Sequence, residues 1–307
     1  MEKKRSMNEI WKDITNRFKR GDILIRLIYV NAGVFIISVL FSIAWGLVTG
    51  NNYESASGIF AWWFALPTNN LESFVFKPYT LITSIFLHIE FFHLFWNMIL
   101  LYFLGRIFLN YFNQKQLFGL YVLGGLIGGL VLLVITNISP YFKSPNIAFG
   151  ASAGVMAIVI AIVSYTPKTS VTLFGIFPIK ILWIGLFFVF SDVFYFYDSN
   201  TGGHLAHLAG AAVGYWFSSA FKQGKDITQK INKYILKIQH ILSRKTKMKV
   251  VYNQDKVRKM SDADYNSSEK VSQAEIDTIL DKISASGYSS LTKKEKDILF
   301  QYSNKNK

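Results

Sequence analysis

Between Leu27 and Phe221 the chain carries almost no charge, and this gap limits what it can fold into more than any other feature. Of 33 Lys and Arg, eight lie in residues 1–26, nineteen in residues 222–307 and only six between, beside five acids: Glu54, Glu72, Glu90, Asp192 and Asp198. Soluble domains spread about 25% charged residues over their surfaces, whereas this middle block has too few to face water. Apolar runs close to the ~20 residues that cross a bilayer recur at 27–48, 91–110, 117–136, 148–166, 174–195 and 204–221. The reading is an all-α polytopic membrane protein with six transmembrane helices and a long outer loop, residues 49–83, between the first two. Gly58 to Pro67, GIFAWWFALP, is too short to cross, and its tryptophans suit the membrane interface. Pro178 and Lys180 interrupt the fifth run.

Three parts follow: a basic N-terminal tail (1–25), a six-helix domain (26–221) and a basic extension (222–307). The net charge of +14 raises the question of nucleic acid. The basic residues flank the apolar block, however, where a lipid bilayer with an anionic cytoplasmic leaflet accounts for them, so no nucleic-acid partner is expected. Seven cations between Lys3 and Arg20 place the N-terminus in the cytoplasm. Alternation then puts Arg106, Lys115, Lys168 and the C-terminus there too. The first apolar run exceeds the 7–15 residues of a signal core and no clean cleavage site follows it, so a retained anchor is expected. With no cysteine, disulfides and thiol chemistry are excluded.

Strongly polar residues inside membrane segments are costly and usually pair or serve a site. Gly150-Ala151-Ser152-Ala153-Gly154 opens the fourth run and His207 lies near the start of the sixth. With topology taken from charge, Ser152, His207, His93 and Asn97 all fall within roughly the outer 5–10 Å of the membrane at 1.5 Å per residue. His93 and Asn97, four apart, share a helix face. The chemistry assigns Ser152 as a nucleophile and His207 as its general base. The Asn97 amide, the His93 imidazole and the Ser152 N–H are candidate donors to an oxyanion. No acid is expected beside His207, so the pair is read as a dyad. Neither a metal nor a cofactor is expected: His88, His93, His204 and His207 could form a four-histidine site, but HExxH is absent and no carboxylate is seen to accompany them. Glycines at 124, 125, 128, 129, 210 and 214 mark close helix packing.

These motifs resemble the rhomboid intramembrane serine proteases in their six-span bacterial form. The resemblance rests on His88-Ile-Glu-Phe-Phe-His93-Leu-Phe-Trp-Asn97, Gly150-Ala151-Ser152 and Ala206-His207-Leu208-Ala209-Gly210, and covers roughly residues 25–221. It implies a rhomboid-like fold in a bacterial inner membrane and cleavage of single-pass transmembrane protein substrates near the outer boundary. It further implies Ser152 and His207 as the catalytic pair, His93 and Asn97 in the oxyanion hole, His88 bracing the outer loop and His204 as a bystander. Departures from the family pattern are Ala153 for glycine, Met156 for tyrosine, Tyr79-Thr80 for Trp-Arg and Asn110 for glutamate. The alternative is a non-catalytic relative that binds or escorts membrane proteins. The extension reads as a basic amphipathic segment over 222–260, followed by a small helical module at 273–303, two short helices around Ser286-Gly287, whose partner the sequence does not name.

Overall fold

Helices dominate because backbone N–H and C=O groups in apolar surroundings must pair within their own segment. The computed structural model describes residues 21–139, 147–173, 177–196, 200–242, 262–292, 294–296 and 298–299. The N-terminal basic cluster through Arg20, Lys143, Asp198 and residues 243–261 lie outside the described residues. The chain divides into two units, Met1–Ser243 and Arg244–Lys307.

The first unit runs α1 (Ile23–Thr49), α2 (Tyr53–Phe64), α3 (Leu71–Phe76), α4 (Thr80–Thr83), α5 (Phe91–Leu109), α6 (Gln114–Ile138), α7 (Ser152–Tyr165), α8 (Ile181–Phe194), α9 (Thr201–Lys222) and α10 (Gln229–Leu242). By length and composition α1, α5 and α6 can each cross a membrane, and α7 and α8 are apolar but shorter. This is a multi-pass membrane protein. At 14 residues apiece, α7 and α8 extend only about 21 Å. Both are shorter than their apolar runs because the ends of those runs are extended. Ile147–Ala148 (β2) pairs antiparallel with Leu66–Pro67 (β1), and Ser170–Leu173 (β3) with Phe177–Lys180 (β4). Pro178, with no N–H to give a helix, therefore sits in a hairpin before α8.

Caps fix one end of the bundle. The Asp22 side chain accepts from Ile25 N, 3.1 Å, and pairs with Arg106 in the last turn of α5. Ile23 N donates to Gln114 Oε1, 3.1 Å, in the first turn of α6. Asn113 and Gln116 form a reciprocal capping box, so residues 110–113 suffice to turn α5 back into α6.

The centre of the bundle is α7, with eleven consecutive buried residues from Ala153 to Val163. Its neighbours reach it through glycines: a Cβ on Gly210 would lie 2.1 Å from Ala153 O, on Gly214 2.2 Å from Ala157 O, and on Gly124 2.6 Å from Ala157 Cβ. The backbones of α6 and α9 thus press on α7 from two sides, which is how small residues build interfaces without a hydrophobic driving force. Residues 226–232 also pack on this unit. Thr228 is buried, Gln116 Nε2 donates to Asp226 Oδ2 at 3.0 Å, and Asn232 Nδ2 donates to Lys115 O at 2.9 Å.

In the second unit, α11 (Asp262–Ser286) ends at Gly287, whose φ of 74° requires the left-handed region. A 3₁₀ turn, Tyr288–Ser290, follows. Thr292 and Glu295 then bond reciprocally: Thr292 N donates to Glu295 Oε2 at 2.6 Å and Glu295 N to Thr292 Oγ1 at 3.4 Å. The Lys282 ammonium, with help from Thr292, holds the Glu295 carboxyl at about 2. Among the described residues of this unit Ile276, Ile279 and Leu291 are buried.

Candidate active site

The first turns of α5, α7 and α9 and the last turns of α8 meet around adjoining cavities. Ser152 is the first residue of α7, His93 and Asn97 lie in the first two turns of α5, and His207 lies in the second turn of α9. All four line one cavity of about 630 Å³, together with Glu90, Trp96, Phe149 and Asn200. A second cavity of about 240 Å³ shares Asn97, Ser152 and His207 and is closed by Met156, Phe188, Asp192 and His204.

The approach to Ser152 is built by a tight turn. Gly150 has φ 124°, closed to side chains, and a Cβ there would lie 2.8 Å from His93 Cε1 and 3.8 Å from Ser152 Oγ. The missing side chain is what admits the His93 ring beside the serine. Gly150 N donates to Ser84 O at 2.9 Å, and β2 holds the preceding residues to β1. His88 is fully buried, and its Nε2 accepts from Ala151 N at 3.4 Å, one residue before the serine. Burial pushes the His88 imidazole down to about 3, keeping it a neutral acceptor. Its ring meets that of His93 edge-on at 5.0 Å. His88 thus braces the serine turn itself. Of the departures, Thr80 is buried with its hydroxyl donating to Lys77 O at 2.6 Å, and Met156 faces the smaller cavity near His207.

The first bond within α7 runs from Val155 N to Ala151 O, 3.0 Å. The N–H groups of Ser152, Ala153 and Gly154 therefore have no carbonyl in the helix, and they form its partially positive end. Asn97 is buried and spends one amide hydrogen on His93 O, 2.9 Å, leaving the second for the cavity. Among the described residues Ser152 Oγ and His207 Nε2 make no hydrogen bond, to each other or elsewhere, and both face the shared cavity.

The expectation that no acid accompanies His207 is corrected. Asp192 Oδ1 lies 2.9 Å from His207 Nδ1 and 2.8 Å from His204 Nδ1. The carboxylate is buried, with its side chain 8% exposed. Asp192 lies near the end of the fifth apolar run, 174–195, where hydropathy alone names no partner for it. It falls two residues before the end of α8, and α9 packs alongside. A signal was present: an acid in a span demands a partner, and two histidines three apart in the next span could supply one. His204, taken as a bystander, shares this carboxylate. These three ligand atoms lie within 4.8 Å of one another, close enough to hold a metal ion, though the two hydrogen bonds already account for their spacing.

Residues 75–223 match the family model described as the Rhomboid domain, and residues 259–305 match a family of unknown function (DUF6576). The chain is similar to "RHOMBOID-like protein 12, mitochondrial" of Arabidopsis thaliana, 29% identical over an alignment 215 residues long that covers 66% of this chain. It spans 59% of that relative's length.

Proposed function

From the rhomboid domain at residues 75–223, which makes this chain a rhomboid family protein, we propose that it is an intramembrane serine endopeptidase acting on transmembrane protein substrates. The observation that carries this reading is the single cavity lined by Ser152, His207, His93 and Asn97. Ser152 Oγ attacks the scissile carbonyl carbon while His207 Nε2 takes its proton. The oxyanion that forms meets the second Asn97 amide hydrogen, His93 and the free N–H groups at the start of α7. The C–N bond breaks as His207 returns the proton to the leaving amine. Water, deprotonated by the same histidine, then releases the acyl group and restores Ser152.

Six crossings are proposed, with α7, α8 and α9 completing the three longer spans, and both termini on the cytoplasmic side of a bacterial plasma membrane. The charge distribution supports that orientation. It sets the cavity at the outer boundary, where a substrate helix must unwind to free its own hydrogen-bonded carbonyls. Residues 222–307 are proposed as a cytoplasmic extension that takes no part in the chemistry. The non-catalytic alternative leaves a hydroxyl and an imidazole at one cavity without a task. Covalent labelling of the detergent-solubilised chain by a fluorophosphonate probe decides between them. Labelling of the wild type that is lost in Ser152→Ala is expected; a folded wild type that takes no label would overturn the protease reading.

A further inference from the structure

We infer that Asp192 is a positioning residue that fixes the tautomer of His207 and so makes its Nε2 the base. The inference rests on the protease reading and adds a third group to its chemistry.

The geometry leaves little freedom. A carboxylate offers acceptors only, and an imidazole Nδ1 within 2.9 Å of it must therefore be the donor. Both Nδ1 atoms on Asp192 Oδ1 then carry hydrogen, His207 by this bond and His204 by its own at 2.8 Å. A neutral His207 with hydrogen on Nδ1 has its lone pair on Nε2, the atom left over for the cavity that Ser152 lines. In the opposite tautomer Nε2 would carry hydrogen and could not accept from the serine, and a lone pair on Nδ1 would face the carboxylate oxygens. That arrangement is repulsive, most of all where water is scarce. The Asp192 side chain is 8% exposed and that of His207 22%.

Two features argue that the carboxylate is there for orientation and not for packing. Asp192 is one of three buried residues of α8, and the others on that stripe, Ile181 and Gly185, are apolar. A buried acid is costly unless its lone pairs are used, and both hydrogen bonds Asp192 makes among the described residues go to the helix that carries the base. The second histidine has a function in this scheme. His204 stands one turn before His207, its ring 6.1 Å from that of His207 and stacked at 6.5 Å on Tyr195, beyond the end of α8. Its bond ends on the same Asp192 Oδ1 and is a second tether that keeps this oxygen beside His207. When the serine proton arrives, the imidazolium forms against a carboxylate already aligned to it. No proton needs to reach Asp192.

The test uses the full chain labelled with ¹⁵N-histidine in detergent micelles, with the His207 signals assigned by their absence in His207→Ala. In the wild type His207 is expected as the Nδ1–H tautomer. An asparagine side chain offers both a carbonyl and an amide, so Asp192→Asn should mix the two tautomers and slow fluorophosphonate labelling by on the order of 10²–10⁴-fold, with the circular dichroism of the wild type. His204→Ala, which keeps the Asp192–His207 bond, should cost less than Asp192→Asn and keep the tautomer. A wild-type His207 protonated on Nε2 would overturn the inference even if Asp192→Asn failed to fold. So would an Asp192→Asn protein with wild-type tautomer and labelling rate. Absence of labelling in the wild type is a different failure: it sinks the protease reading, while the tautomer measurement still reports on Asp192.

Discussion

The helices α7 and α8 are both 14 residues long and nearly all apolar, yet their surroundings are opposite. In α7, residues 153–163 are all buried, and glycines of α6 and α9 bring two neighbouring backbones to its surface. In α8 only Ile181, Gly185 and Asp192 are buried, while Trp183, Phe187, Phe190 and Phe194 face outward. Gly185 is its close approach, where a Cβ would meet Val163 of α7 at 2.7 Å. The proposed nucleophile, Ser152, thus sits on a helix that cannot move without displacing two backbones. The acid sits on one held by a narrow stripe and two hydrogen bonds. Ser152 is therefore held more rigidly than Asp192, which suits the roles proposed for them.

The largest effect should come from spoiling the α7–α9 contact. Gly210→Val places a Cβ 2.1 Å from Ala153 O, a backbone atom that cannot turn aside. Overpacking typically costs about 1–3 kcal/mol and occasionally more, and this clash belongs at or above that range. Size-exclusion chromatography should show little monodisperse protein, and a stable Gly210→Val chain would mean that the tight α7–α9 packing is not needed. Ser152→Ala on the same helix should fold normally and lose at least about 10³-fold in cleavage of a transmembrane model substrate. Retained cleavage would remove the serine from the chemistry.

Asn97→Ala, on α5, should lower turnover by about 10²–10³-fold, the usual effect of one oxyanion donor. A change confined to KM would instead make Asn97 a substrate-binding residue. A smaller effect is expected from the extension. A chain ending at Gln223 loses buried Thr228 and the Asp226–Gln116 and Asn232–Lys115 bonds, so its thermal midpoint in detergent should drop. A chain ending at Ser243 keeps them and should cleave as the full chain does. The opposite ranking would mean that residues 224–243 do not belong to the first unit. The smallest effect sharpens the contrast with α7: Phe190→Ala, at a side chain 69% exposed, should change stability by no more than about 0.5 kcal/mol. A loss comparable to a core deletion would show that the outer face of α8 is packed against something.

Much of this was legible in the residues. The lack of charge between Leu27 and Phe221 allows little but membrane helices, because an apolar backbone must satisfy itself. Glycines 124, 210 and 214 announced close contact, and all three meet α7. The limits of the helices were less legible. Extended pairing at 147–148 and 177–180 competes with helix in runs whose hydropathy is uniform, and hydropathy does not distinguish the two. In the second unit Thr292 and Glu295 bond reciprocally three residues apart, a local pattern that needs no tertiary partner.

Sequence by itself determined the helical membrane class of the fold and singled out the side chains proposed to carry chemistry, since burial cost and helical spacing act over a few residues. It also set Ser152, His93, Asn97 and His207 at one depth, because alternating spans return to the same boundary. Only the tertiary structure decided which helix faces meet there. Asp192 precedes His207 by 15 residues, and nothing in that separation says whether α8 turns its acid toward α9 or away. The rotation of α8 is set where its buried stripe packs, with Gly185 against Val163. That contact, remote from Asp192 along the helix, places the carboxylate on His207 Nδ1.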